Sequence, residues 1–538
     1  MQYLTPMKLN IPMKNLACLI IVGLTVGGCA VAESPSAVKS RAWCPDNGDG
    51  TFTNPIMWGD WPDSDVIRVD DTFYFISTSM HYVPGSPIAK SKDLVNWQMA
   101  GYAIERYDED LRFDMKGGTL YVNGSWANTI RYRNGKFYVG FCTPRGGKGT
   151  GCFSMCVADD VRGPWKRTIF PEYLYDPGLF FDDDDKAYIA HGQGTIFITP
   201  LAADALSVAG KPVKVIENEP VEGSHMYKIN GKYFIFSPAA GIGSQLCFRS
   251  DHIYGPYEKK AVMHDTRNTG YGVHQGGLVQ LRNGDWWCLI MEDRGPIGRV
   301  TRLEPVKWVD GWPMLGKDGE GIGVITCKKP DIGAVYPVAA PATTDEFNSA
   351  QLGLQWQWNH NPDRENWSLT ERPGWLRLKA GMAHDLKDAR NTLTQRVQGP
   401  ASEGVVEMDV RGLKDGDVAG FGIFQFPYAF VAVQQDGDDK KIIMINNGKI
   451  VATVDHFPGE TIWIKASATD VGFKASFAYS TDGKNYQPIG NQLGMGLGLP
   501  WTANRFALFN FSTKDAGVGG YADFDYFRFT MEPQRKNN

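Results

Sequence analysis

Between residues 66 and 290 one pattern recurs five times: an apolar strand, a tight polar turn, then an aromatic strand. It reads VIRVDDTFYFIS from Val66, TIRYRNGKFYVGF from Thr129 and LFFDDDDKAYIAH from Leu179. It returns as MYKINGKYFIFS from Met226 and LVQLRNGDWWCLI from Leu278. Three copies turn on Asn-Gly and two on consecutive Asp residues. Asn, Asp and Gly tolerate the positive φ that two-residue hairpins need. The copies start roughly 45–65 residues apart, a period that suits four-stranded propeller blades. SKDLVNW (Ser91–Trp97), ADDVRGPW (Ala158–Trp165) and SDHIYGPY (Ser250–Tyr257) repeat a polar start and an aromatic end, as the outer edges of three blades. Residues 49–330 therefore predict a five-bladed β-propeller.

Composition shifts at residues 331–344, a small, Pro-rich linker containing IGAVYPVAAPATT. Short alternating segments follow, among them WLRLKAG, GVVEMDV, TIWIKASA and ADFDYFRF, and predict a concanavalin-like β-sandwich over residues 345–532. The whole is an all-β chain, consistent with 12 % aromatics and 61 Gly. A net charge of −5 argues against a nucleic-acid partner.

At the N-terminus, Lys8 and Lys14 precede an apolar run, Leu16 to Val26, and then VGGC. That order predicts a secretory signal over residues 1–29 with a lipobox, so that Cys29 carries a lipid and residues 30–48 act as a tether. Cleavage after Ala30-Val31-Ala32 is the alternative, and Met7 or Met13 are alternative starts. The expected location is a secreted bacterial lipoprotein, periplasmic or at the cell surface, held to the membrane through that anchor. Cys44, Cys142, Cys152, Cys156, Cys247, Cys288 and Cys327 are odd in number and loosely spaced, which is no disulfide framework.

In a propeller, ligands bind at the central channel, where the innermost strand of each blade begins. Three acids stand at that place in separate blades: Asp63 in WPDSDV, Asp176 in YDPGLFF and Glu222 in VEGSHMYK. Singly each is an ordinary turn acid. Together they fit the two-carboxylate chemistry of glycoside hydrolysis, with a third acid tuning the pair.

NPIMWGDWPDSDVIRV, YDPGLFFDDDDKAYIAHG, VEGSHMYKINGKYFIF and GVHQGGLVQ, in this order, resemble glycoside hydrolase family 43. The stretch DEFNSAQLGLQWQWNHNPDRENW resembles the sandwich that follows the propeller in that family's β-xylosidases and α-L-arabinofuranosidases. The resemblance implies that Asp63 is the general base, Glu222 the general acid, and Asp176 the acid that strengthens Glu222's hold on its proton and orients it. It implies an inverting reaction in one displacement, with base and acid roughly 6.5–9.5 Å apart to admit a water. One departure is visible: the family's Pro-Asp-Pro at the base is here Pro62-Asp63-Ser64. Asp65 is the rival for the base, or a group supporting it.

The resemblance further implies substrate contacts from Trp126, Arg299, Met80, His274 and Asp60. For Trp126 and Met80 ordinary blade packing is an equal reading, and Asp60 alternatively caps its turn. No cofactor is required. Near the axis His274 either holds a hydrated calcium or joins the hydrogen-bond network of the site. The run Asp182–Asp185 is read as solvated turn acids. The expected activity is exo-acting release of terminal α-L-arabinofuranosyl or β-D-xylosyl units from hemicellulose oligosaccharides. The alternatives are a non-catalytic glycan-binding lipoprotein and an endo-arabinanase.

Overall fold

The computed structural model describes residues 42–145, 149–239, 243–265 and 272–531. The leader, Cys29 and most of the tether lie outside the described residues. Strands dominate; among the described residues the only helices are short 3₁₀ turns.

Five four-stranded antiparallel sheets follow one another along the chain. Their innermost strands are Asp65–Val69, Asn128–Arg133, Gly178–Phe181, His225–Ile229 and Val273–Gln280, each the first strand of its blade in sequence. The hairpin turns take the backbone their residues favour: Asn134 and Gly135 have φ of 50° and 78°, and Asn230 and Gly231 of 50° and 79°. Each blade draws its four strands from one contiguous stretch, so no strand is exchanged to close the ring. Closure falls to a clasp in which Thr51–Thr53 pairs antiparallel with Thr326–Lys328. Beside it the Asn54 side chain donates to the Leu303 and Val324 carbonyls and accepts from the Leu303 N–H.

The sandwich sheets alternate as the sequence does. Ala401–Asp409 and Thr461–Thr469 bury every second residue, and Val406, Phe421, Phe506 and Phe527 meet in the core between the sheets. In the other sheet the central strand Asp417–Phe424 is covered on both faces, every residue of it being buried. Its edge is completed from the propeller, because Tyr82–Val83 of the first blade pairs antiparallel with Trp358–Asn359. A shared sheet leaves little freedom between the two domains, since sliding would break backbone hydrogen bonds.

Two histidines sit buried at this junction. His81 accepts from the Val122 N–H at Nδ1 (3.2 Å) and lies 2.9 Å from Asn359 Oδ1 through Nε2. His360 accepts from the Leu120 N–H at Nε2 (3.1 Å). Both are held neutral. Burial pushes His360 down to about 3, and burial, then the His360 and Arg505 charges, hold His81 well below the usual imidazole range. The unfolded chain takes up these protons near pH 6.5 and the folded chain does not. Stability is therefore complete above about pH 6.5 and falls as the pH drops from there toward 3, by roughly 2 kcal/mol for His360 at pH 5, with His81 acting in the same direction. Thermal unfolding followed from pH 7.5 to 5 should show that fall. It should be shallower in His360→Gln, which keeps an acceptor for Leu120.

All seven cysteines from Cys44 to Cys327 are free thiols, five of them buried and Cys44 and Cys327 partly so. Asp182 departs from its expectation as a solvated turn acid. It is buried, accepts from Lys228 Nζ and Tyr233 Oη at 2.7 Å each, and ties the third blade to the fourth.

Candidate active site

Asp63, Asp176 and Glu222 line one cavity, of about 360 Å³ including its open mouth, with Met80, Trp126, Ala127, Tyr175, Gln275, Arg299 and Trp501. The first-strand starts of the first, third and fourth blades supply the acids. The loop between the second and third strands of the first blade supplies Met80, and the start of the third strand of the fifth blade supplies Arg299.

Five of these residues are non-glycines in the left-handed region: Asp63 (φ 57°), Met80 (52°), Asp176 (46°), Gln275 (53°) and Trp501 (56°). Each such backbone costs on the order of 1 kcal/mol and persists where its surroundings over-determine it, characteristically at functional sites. At Asp63 and Asp176 it turns the acid out of the strand that follows. Gly223, beside Glu222, has φ of 56°, and a Cβ there would meet Gln275 Nε2 at 2.7 Å. Only glycine lets Gln275 pack so closely on the backbone beside the acid.

Asp63 is buried, and both of its oxygens are engaged. Oδ1 accepts from Arg299 Nη1 at 2.7 Å and Oδ2 from Thr78 Oγ1 at 2.5 Å. Burial works against the Arg299 charge, but Asp63, Asp60, Asp293 and Asp176 outweigh it and hold the guanidinium protonated. Asp176 is pushed well above the usual carboxyl range, by burial first and then by the Glu222 and Asp63 charges, with Arg299 opposing. Like charges in a buried site cannot all ionise, so the cluster retains a proton near neutrality. Glu222 Oε2 accepts from Gln193 Nε2 at 2.7 Å and from Tyr175 Oη at 3.2 Å.

Trp126 stands in the wall: its ring meets Tyr175 (6.1 Å) and Trp501 (5.6 Å) edge to face, and its Nε1 donates to the Val122 carbonyl. Met80 lines the cavity and is also packed, its carbonyl accepting from Tyr107 Oη and the Ser125 N–H. Asp60 is placed differently from the sugar-binding expectation. It is not among the lining residues; its Oδ1 accepts from the Arg299 N–H at 3.1 Å, behind the guanidinium. Asp65 is no rival for the base. It is fully buried, accepting from Arg131 Nη1 (2.7 Å), the Ile130 N–H (2.9 Å) and Thr129 Oγ1 (3.1 Å). Burial alone would raise its pKa, but the Arg131 and His225 charges and these bonds carry it below the ordinary value. It joins the first two blades at the axis.

His274 also lies outside the lining, and its neighbour Gln275 takes the place. His274 Nε2 is 3.6 Å from Asp293 Oδ2, and Nδ1 has no hydrogen-bond partner among the described residues. Calcium takes six to eight oxygen ligands; one imidazole and one carboxylate at that distance do not fit it. Among the described residues no group of three or more His, Cys, Asp or Glu is placed to hold a metal.

Sequence reasoning missed Tyr175, Gln193, Gln275 and Trp501. Tyr175 and Gln275 adjoin singled-out residues, and adjacency was their only signal. Trp501 comes from the sandwich, 54 % exposed, with its carbonyl 3.4 Å from Arg299 Nη2. Nothing local marks it.

Residues 52–313 match the family model described as Glycosyl hydrolases family 43, and residues 344–530 that of the Beta xylosidase C-terminal Concanavalin A-like domain. A Beta-xylosidase of Formosa agariphila is 34 % identical over 92 % of both chains. A non-reducing-end α-L-arabinofuranosidase of Bacteroides ovatus is 32 % identical over 67 % of this chain and 68 % of its own. A solved GH43 glycoside hydrolase, engineered to display both endo-xylanase and exo-arabinofuranosidase activity, is 32 % identical with a TM-score of 0.83, over 90 % of this chain and 100 % of its own. The chain belongs to glycosyl hydrolase family 43 and is a glycosidase.

Proposed function

We propose that the protein is an exo-acting, inverting glycosidase that removes terminal α-L-arabinofuranosyl or β-D-xylosyl units from xylan-type oligosaccharides. The observation that carries this reading is the convergence of Asp63, Asp176 and Glu222 in one small cavity that Trp501 of the sandwich walls on one side. The wall that Trp501 puts on one side suits one terminal sugar ring better than a run of chain. Trp126 and Trp501 offer faces for a sugar's C–H groups and the acids take its hydroxyls. Asp63, which accepts from Arg299, draws the proton from a water as that water attacks the anomeric carbon. Glu222 protonates the departing glycosidic oxygen. Asp176, buried beside Glu222, couples to it and keeps the proton available. The relatives named for xylosidase and arabinofuranosidase activity support these two sugars. The leader's composition supports a cell-envelope location through a lipid on Cys29, checked by labelling with a radioactive fatty acid before and after Cys29→Ala.

The test is hydrolysis of 4-nitrophenyl α-L-arabinofuranoside and 4-nitrophenyl β-D-xylopyranoside. Turnover of at least one is expected. Trp501→Ala should lower kcat/KM about threefold to tenfold through the lost aromatic contact. Folded wild-type protein that cleaves neither, but cuts polymeric arabinan or xylan internally, would overturn the reading.

A further inference from the structure

The two donors on Glu222 converge on the same oxygen. Gln193 Nε2 (2.7 Å) and Tyr175 Oη (3.2 Å) both reach Oε2, and among the described residues no bond to Oε1 is formed. Burial, then the Asp176 and Glu222 charges, push the Tyr175 hydroxyl far up, so it keeps its proton and acts as a donor. Gln193 is exposed, yet its turn is clipped on both sides to the segments that carry Tyr175 and Glu222. The Gly192 N–H donates to the Tyr175 carbonyl (2.9 Å) and the Gly194 N–H to the Val221 carbonyl (2.9 Å), next to Glu222 itself. Gly192 has φ of 124°, and a Cβ there would meet the Thr195 carbonyl at 2.2 Å, so the turn is tight. Gln193 is thus held in register with both Tyr175 and Glu222 before any substrate arrives.

A neutral carboxylic acid has one accepting carbonyl oxygen and one hydroxyl oxygen that donates. Two donors on Oε2 occupy both of its lone pairs and make it the carbonyl oxygen. We propose that Tyr175 and Gln193 are positioning residues that place the transferable proton of Glu222 on Oε1, the oxygen left free for the glycosidic bond. This deepens the reading of Glu222 as general acid and rests on it. In the step, the Oε1–H bond breaks and its proton goes to the glycosidic oxygen. The anomeric C–O bond breaks with both electrons on that oxygen. A water oxygen bonds to the anomeric carbon and gives its proton to Asp63. As Glu222 becomes a carboxylate, both bonds to Oε2 become charge-assisted and strengthen. That gain exists only once the proton is moving, so it accelerates the reaction rather than tightening binding.

The contribution therefore depends on how much proton the leaving group needs, which a purely structural role would not reproduce. Gln193→Met and Tyr175→Phe are measured on a methyl glycoside and on a 2,4-dinitrophenyl glycoside of whichever sugar is cleaved. On the methyl glycoside kcat should fall about tenfold for each variant. On the dinitrophenyl glycoside, whose departure needs no proton, it should fall less than threefold. Equal losses on both, or no loss on either, would overturn the proposal. Glu222→Ala on the same pair separates the two readings. If it shows the contrast and Gln193→Met does not, only the positioning role fails. If Glu222→Ala loses equally on both substrates, the acid assignment itself fails. Phe keeps the Tyr175 ring against Trp126 and residue 193 is exposed, so both variants should fold, as a thermal melt would show.

Discussion

Asp63→Asn is expected to lower kcat by about 10³-fold while leaving the fold intact, since a positioned general base contributes roughly 10²–10⁴. The amide has nearly the same shape and can still accept from Thr78. It cannot take a proton from water, and it leaves the buried Arg299 guanidinium without its 2.7 Å partner. No neighbour can replace it. Asp65 is fully buried and committed to Arg131 and two backbone or hydroxyl donors of the second blade, and Asp60 lies behind Arg299 rather than in the cavity. The loss corresponds to about 4 kcal/mol of barrier. It is read from hydrolysis of the better 4-nitrophenyl glycoside, with circular dichroism as the check on folding. A variant retaining a tenth of the wild-type rate would rule Asp63 out as the base.

The largest expected effect on stability lies beside the ring closure. Arg302 is buried with Nη1 2.8 Å from Glu292 Oε2 and Nε 2.9 Å from Glu304 Oε1, and its Nη2 donates to the Val324 carbonyl at 2.6 Å. Glu304 Oε2 in turn accepts from the Val324 N–H. Burial pushes Glu304 up and the Arg302 charge opposes it. Arg302→Met would leave Glu304 buried without its counter-charge and Glu292 with Arg294 alone, and breaking such a buried pair costs about 3–5 kcal/mol. The same strand carries Arg299 into the cavity, so activity should fall along with stability. Urea denaturation checks the first effect. Replacing the whole triad by apolar residues and Gln should recover most of the loss, because desolvation offsets much of what a buried ion pair contributes. An Arg302→Met variant as stable as wild type would contradict the arrangement.

The five hairpins and the alternating sandwich strands are local messages. Asn134-Gly135 and Asn230-Gly231 specify their turns by which φ they tolerate, and Ala401–Asp409 specifies its buried face by a period of two. Such signals act within about ten residues, so a chain read alone already determines blades, a linker and a sandwich. The three acids were legible for the same reason: each stands just before an innermost strand, and propeller geometry aims those positions at one axis. The sequence also carried Trp126, Met80 and Arg299 into the wall, through resemblance rather than spacing. What it could not determine were meetings between segments with no local relation. Trp501 reaches the cavity because Tyr82–Val83 extends a sandwich sheet and locks the domains together. Asp65 became a tie between blades instead of a base because Arg131 of the neighbouring blade lies 2.7 Å from it. Gln275 displaced His274, and Gln193 met Glu222, because positive φ at residue 275 and a clipped turn at 192–194 redirect side chains. These outcomes depend on which partner each charge and donor finds once the ring has closed, and only the tertiary structure supplies the partner.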